Sequence, residues 1–206
     1  MLNPVVPESS APPLFCRGAP LCSAPRLAVV GARVSRVGPP VAFAFAAHAV
    51  RAGWVIGSGL ASGCDVAAHR GCLAVEGRTF AVLPCGVDRV GPAPSHSLCN
   101  TIARRGCLIS EYPNGTPPSK HRFVARNGVL VSLSQAVVVC AADIAGGSMH
   151  TARFALKQNV PLACYLPARG AGSSGCRHLV ESHGAAALSN PRELLIWLAS
   201  LQGGRV

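Results

Sequence analysis

Residues 54–69 read WVIGSGLASGCDVAAH. Trp54 to Gly57 is a short apolar run that ends in glycine, which reads as a strand. Ser58 to Gly63 carries two glycines and two serines, and Cys64 to Val75 continues as a helix. A strand that passes through a glycine-rich turn into a helix begins a βαβ unit, and its turn points backbone N–H groups beyond the strand end. The same succession extends in both directions. Upstream, Leu27 to Gly31 (LAVVG) reads as a strand and Pro39 to Ala52 as an alanine-rich helix closed by Gly53. Downstream, Thr79 to Leu83, Cys107 to Ser110, Ala136 to Cys140 and Pro161 to Tyr165 read as strands. Ser95 to Arg105, Arg122 to Leu133 and Ser148 to Gln158 read as the helices between them. Strands alternating with helices of about 10–15 residues indicate a parallel sheet, and runs such as AVVVC indicate strands buried on both faces. The expected fold is α/β and Rossmann-like, a mostly parallel sheet with helices on both faces.

This core spans residues 27–168, with an N-terminal extension at 1–26 and a glycine-rich loop plus C-terminal helix at 169–206. Ala168 to Gly175 reads as the loop. Asn190 caps the last helix, with Pro191 at its first position and Glu193 completing a capping box. Leu194, Leu195, Trp197, Leu198 and Leu201 give that helix a wide apolar stripe, suited to the sheet or to a partner subunit.

A chain of 206 residues, half of them hydrophobic, buries a sizeable core without staples. None of its ten cysteines forms a C-x-x-C pair, and several sit inside apolar runs. They read as buried free thiols in a reducing compartment rather than as disulfides or zinc ligands. His121, His150, His178 and His183 lack metal-ligand spacing, so no metal site is expected. The net charge is +11, and only Lys120 and Lys157 among the 19 cationic residues are not Arg. Such a balance suits an anionic partner. The first 26 residues lack a basic start followed by a long apolar run, and no stretch reaches the roughly 20 apolar residues of a membrane span. A cytoplasmic protein with no membrane partner is expected.

In open parallel sheets ligands gather beyond the carboxyl ends of the strands. There the sequence places Arg33, the turn Ser58 to Gly63, Glu111 with the loop YPNGTPPSKHRF, and Gly146-Gly147-Ser148. Two glycine-rich turns opening helices, with Arg33, Lys120, Arg122 and Arg126 near the same rim, suit phosphate. GSGLASG has one residue too many for the dinucleotide fingerprint, and the acidic residue expected at the next strand end is missing. No P-loop occurs. No cofactor is expected.

The combination resembles the DNA-processing protein A (DprA/Smf) family from about Pro12 to Pro167. The matching stretches are VVGAR at 29–33, SGLASGCDVAAH at 58–69, GRTFAVLPCGVD at 77–88, LISEYPNGTPP at 108–118, KHRFVARN at 120–127 and GGSMHTA at 146–152. PPLFCRG at 12–18 resembles the short strand before the family's core, and Gly175 to Gly184 is similar to its closing loop. The resemblance implies a homodimer that binds single-stranded DNA during natural transformation, protects it and hands it to the RecA recombinase. It implies a DNA pocket at Arg33, Lys120, Phe123, Arg126 and Asn127, beside the phosphate-binding turns at Ser58, Gly59, Gly147 and Ser148. No catalytic residue is implied. Ser62 and Gly128 stand where the family usually has Arg, and Arg122 offers a replacement cation. The accessory helical and winged-helix domains of many members are not expected here.

Several readings stay open at this level. Arg33 contacts phosphate, or pairs with Asp65 or Glu111. Phe123 stacks on a base, or anchors its loop in the core. His69, one helical turn after Asp65, is a general base or a structural hydrogen-bonding group. The alternative function is a nucleotide-binding or phosphoribohydrolase domain of the LOG type. Its P-G-G-x-G-T-x-x-E motif would place His150 at the Thr and Arg153 at the catalytic Glu, replacing a carboxylate with a cation. A nucleotide sensor without catalysis is the third.

Overall fold

The computed structural model describes residues 13–89, 93–168 and 172–203. Residues 1–12 of the N-terminal extension, with Pro12 of PPLFCRG, lie outside that description, as do 169–171 of the expected loop. In chain order the elements are β1 (Phe15–Gly18), β2 (Arg26–Val30), α1 (Gly38–Arg51), β3 (Val55–Ser58), α2 (Cys64–Ala74), β4 (Thr79–Val82), α3 (Ala93–Arg105) and β5 (Cys107–Ser110). There follow α4 (Lys120–Ser132), β6 (Ala136–Val139), α5 (Ser148–Lys157), β7 (Leu162–Tyr165), α6 (Ser174–His183), β8 (Ala186–Leu188) and α7 (Pro191–Gly203). The strands form one eight-stranded sheet in the order β1-β5-β4-β3-β2-β6-β7-β8. Only the edge strand β1 runs antiparallel, pairing Phe15 with Ser110 and Gly18 with Cys107.

Alternate residues of the central strands point to opposite faces, and both faces are apolar. Leu27 and Val29 of β2, with Ala136 and Val138 of β6, meet Phe45 of α1, Ala68 of α2 and Leu194 of α7. Ala28 and Val30, with Val137 and Val139, meet Leu130 of α4, Ala152 of α5 and Leu179 of α6. Helix α3 covers β4 and β5 through Cys99 and Ile102 against Ala81 and Leu108. Helices thus cover both faces of the sheet, as the alternation predicts. All ten cysteines are free thiols, eight of them buried in this core. Burial pushes Cys64 and Cys72 up to about 12, so they pack as small apolar side chains.

The C-terminal segment differs from the expectation. The glycine-serine stretch stops being loop at Ser174, where α6 begins, and β8 extends the sheet beside β7. The small residues serve close packing rather than flexibility. Ser173 and Ser174 accept hydrogen bonds from the N–H groups of Ala142 (2.9 Å) and Ile144 (3.3 Å), just past β6. A Cβ on Gly175 would lie 2.7 Å from Ala142 O. Gly184, at φ +67°, ends α6 in the left-handed region, so the stretch 175–184 is helix rather than a closing loop. Asn190 caps α7 as expected, and only the reciprocal half of the capping box shifts by one residue. Glu193 N–H donates to Asn190 Oδ1 (3.1 Å), but the Glu193 carboxylate accepts from Ser189 N (2.7 Å) and Ser189 Oγ (2.9 Å). Leu194 and Leu198 of α7 pack on α1 and the sheet.

Helices α1 and α2 pack tightly at Gly71, where a Cβ would collide with the backbone carbonyl of Phe43. Gly71→Ala therefore forces two core helices apart. Overpacking of this kind costs about 1–3 kcal/mol, more than the helix propensity alanine contributes. A urea titration of Gly71→Ala is expected to show a lower midpoint than the parent; an equal or higher midpoint would contradict this packing.

Candidate functional site

The chain builds β2 to β5 outward on one side of the sheet, then crosses back to lay β6, β7 and β8 on the other. The loops after β2 and β6 consequently diverge, and a crevice opens between them at the carboxyl edge. A cleft of about 630 Å³ lies there. Its sides are residues 30–34 at the end of β2 and just after it, and residues 143, 146–148, 150 and 151 around the start of α5; the first two turns of α4, with Ala61 and Asp65, complete it.

The inner wall is a buried ion pair. Arg126 is 4% exposed, and its Nη2 lies 3.7 Å from Asp65 Oδ2. Asp65 sits in the first turn of α2 and accepts the Ala61 N–H at 3.3 Å. Burial pushes its carboxyl up, and the Arg126 guanidinium pulls it back down. A Cβ on Gly59 would fall inside that guanidinium, so Gly59 makes room for the pair rather than for a ligand. Two glycine-rich turns were expected to offer anion sites, but Asp65 already fills the one at α2. Ser58, fully buried, donates through Oγ to Val29 O (2.6 Å), and neither it nor Gly59 lines the cleft.

His69 turns out not to bond Asp65. Thr79 Oγ1 donates to Ile56 O (2.7 Å), so it must accept from His69 Nδ1 (2.7 Å), which fixes the proton on Nδ1. Nε2 is buried without a hydrogen-bond partner. Burial, assisted by the Arg126 charge, lowers the imidazole to about 3.

The outer wall is different in kind. Arg33 lies with its guanidinium carbon 5.2 Å from the centre of the Phe123 ring, so the loop after β2 touches α4 across the cleft. Neither Arg33 nor Lys120 forms an ion pair among the described residues. Pairing of Arg33 with Asp65 or Glu111 is therefore not what the structure shows. Lys120 opens α4 and is exposed. Opposite it, α5 begins at Gly147 and Ser148 with no side-chain cap and no acid in its first turn, which leaves its positive end toward the cleft. Asn127 lines the cleft at 7% exposure. Arg122 is engaged elsewhere: its Nη1 donates to Pro117 O and its guanidinium covers the Tyr112 ring at 4.9 Å. It replaces neither missing cation. Asp143, His150 and Thr151 also line the cleft. Their only sequence signal is position, beside the Gly146-Gly147-Ser148 turn.

The model of the DNA recombination-mediator protein A family matches residues 5–199. The chain belongs to this family. Among its relatives, a protein Smf of Synechocystis sp. is 37% identical over 153 residues, 74% of this chain and 38% of the relative. A putative DNA processing protein DprA of Mycobacterium tuberculosis is 38% identical over 175 residues, 84% of this chain and 45% of the relative. The chain thus spans less than half the length of these two relatives. It also superposes on DNA processing protein A from Helicobacter pylori with a TM-score of 0.84 at 29% identity, covering 97% of this chain and 95% of that one. That structure concerns the protein's unique single-stranded DNA binding mode. No helix among the described residues is long and apolar enough to cross a membrane.

The neutral His69 makes stability depend on pH. In the unfolded chain a histidine protonates near about 6.5, whereas the folded one resists protonation down to about 3. The unfolded state therefore binds the extra proton first as pH falls, and the contribution of His69 is complete above about 6.5 and lost progressively below it. Between pH 7 and pH 5 the loss is about 2 kcal/mol. Urea midpoints at the two pH values are expected to fall for the parent and to fall clearly less for His69→Gln; parallel falls would remove His69 as the cause.

Proposed function

We propose that this chain binds single-stranded DNA in the cleft between β2 and β6, and so acts in DNA uptake and natural transformation. The observation that carries this reading is the pairing of two uncompensated cations, Arg33 and Lys120, with an uncapped helix start and an aromatic ring around one cleft. Phosphates sit on Arg33, Lys120 and the α5 start at Gly147 and Ser148, while Phe123 offers a π-face to a base. Arg126 shapes the floor, its charge offset by Asp65. A flexible single strand enters such a crevice, whereas a duplex meets mainly its rim. In the cytoplasm, as a homodimer, the protein protects incoming DNA and passes it to RecA, the role the family resemblance implies.

The reading is of a binder rather than an enzyme. Asp65 is committed to Arg126 and to its own turn, and His69 is enclosed away from the cleft. At the place of a phosphoribohydrolase's carboxylate stands Arg153, an exposed cation on α5.

In the free protein, Arg33 covers the Phe123 face that a base would take. DNA exchanges that contact for two others: the guanidinium moves to a phosphate and the ring receives a base. Arg33→Ala and Lys120→Ala are each expected to weaken binding and to reduce the slope of log affinity against log salt by about 0.7. Phe123→Ala is expected to cost about 1–3 kcal/mol for the base it stacks. Arg33→Ala and Phe123→Ala each also remove the contact that DNA must break, but the Arg33→Ala/Phe123→Ala double variant gains that relief only once. The double variant should therefore lose more than the sum of the singles, by about 0.5–1 kcal/mol. Electrophoretic shifts with single- and double-stranded oligonucleotides over a salt series test all of this. Equal affinity for duplex would refute the proposed partner, and a double variant losing less than the sum would refute the exchange.

A further inference from the structure

We infer that the strand continues beyond the cleft, rounding the carboxyl edge of β2 onto the outer face of α1, where Arg36 takes a phosphate and Phe43 a base; this rests on the cleft being the single-strand site. Large apolar side chains exposed to water need a reason when they gather. Among the described residues five are exposed, and three of them fall within one stretch: Val34 at 93%, Val37 at 53% and Phe43 at 41%. The stretch starts in the cleft, because Val34 lines it beside Arg33. A fourth, Ile144, stands between Asp143 and Gly146, two residues of the opposite lip.

The loop is built to hold these groups outward. The Ser35 hydroxyl accepts the N–H groups of Val37 (3.3 Å) and Gly38 (2.9 Å), and so closes the start of α1. A Cβ on Gly38 would lie 2.6 Å from Cys64 Sγ and 2.9 Å from Ala141 Cβ, so that start is seated against α2 and the loop after β6. Ser35 thus serves the helix, while Val34, Arg36 and Val37 stay exposed on either side of it. Within α1, Pro40 and Phe43 lie three apart on the exposed face. The Phe43 backbone is held against Gly71 of α2, and the exposed Arg70 precedes that glycine.

The chemistry of this surface selects the occupant. Neither Arg36 nor Arg70 forms an ion pair among the described residues, and no Asp or Glu occurs between Glu8 and Asp65. A face that docks an apolar protein segment keeps charge out of its centre. Here cations alternate with the apolar groups, Arg33 before Val34 and Arg36 before Val37. A ligand that suits both carries repeated negative charge and flat apolar faces at once, which is the chemistry of a single strand. Phosphates pass from Arg33 to Arg36, while bases rest on Val34, on Val37 and, about 8 Å along the helix from Gly38, on the Phe43 ring. The cleft holds one part of the strand and the α1 face the next.

Strand length separates the two surfaces. Oligothymidylates of about four and about sixteen residues are compared: the short one fills the cleft, and the long one also reaches α1. Arg36→Ala is expected to bind the short strand like the parent and the long one more weakly, with the long strand's slope of log affinity against log salt reduced by about 0.7. Phe43→Leu keeps the apolar volume and removes the π-face. It is expected to weaken the long strand at least about 5-fold with the slope unchanged, and again to leave the short one alone. Parent-like binding of the long strand by either variant overturns the inference, and so does an Arg36→Ala variant that weakens both lengths equally. A parent that binds neither length refutes the cleft reading and this inference with it; a parent that binds both, matched by its variants, refutes this inference alone.

Discussion

Beneath the cleft, a guanidinium and a carboxylate, both almost fully withdrawn from water, meet 3.7 Å apart. Taking two charges out of water costs several kcal/mol each, and their attraction repays this only in part. At that distance the contact is an ion pair without a good hydrogen bond, and Arg126 Nε is left without a partner. Stability alone therefore does not account for it. What the pair fixes is position. Asp65 belongs to α2 on one side of the sheet and Arg126 to α4 on the other, so the pair joins the two layers across the carboxyl edge of β2 and β3. Lys120, Phe123 and Asn127 all project from α4, and their placement against the β2 loop depends on that joint.

The pair also divides the cleft electrostatically. Its inner end is neutral overall, because Asp65 offsets Arg126 and also occupies the anion position at the start of α2. Its mouth carries Arg33, Lys120 and the start of α5 against the single carboxylate of Asp143. On the proposed function, phosphates are drawn to the mouth, and the ring of Phe123 is left for a base. A net charge of +11 would attract a polyanion from a distance, at a rate that falls with salt. On the same proposal, the Arg33–Phe123 contact holds a phosphate-binding group and a stacking ring ready together.

Close packing sets the tolerances of this arrangement. Gly59 leaves the space the Arg126 guanidinium fills, and Gly175 lets α6 lie against the loop that leads from β6 to the cleft. Both glycines look in the sequence like loop residues. In the structure they are points where a Cβ would strike a neighbour from a distant part of the chain.

The sequence by itself determined the strands, most of the helices and the parallel sheet, because hydrophobic period, turn chemistry and helix caps are settled within windows of about ten to fifteen residues. It also marked Arg33, Lys120 and the Gly147-Ser148 turn by their place at a strand end or helix start, while the family resemblance supplied Phe123 and Asn127; all of them line the cleft. Only the tertiary structure decided what these residues touch. Arg126 and Asp65 are 61 positions apart, and strand order alone brings them together. The same holds for Arg33 on Phe123, for Ser58 spent on Val29, for His69 on Thr79 and for Arg122 drawn away to Tyr112. Helix α6 and strand β8 escaped the sequence reading for a related reason: their serines and glycine serve contacts with the loop after β6, not the local turn that their composition suggests. Local stereochemistry fixes elements, whereas side-chain partners depend on the order in which the strands are laid side by side.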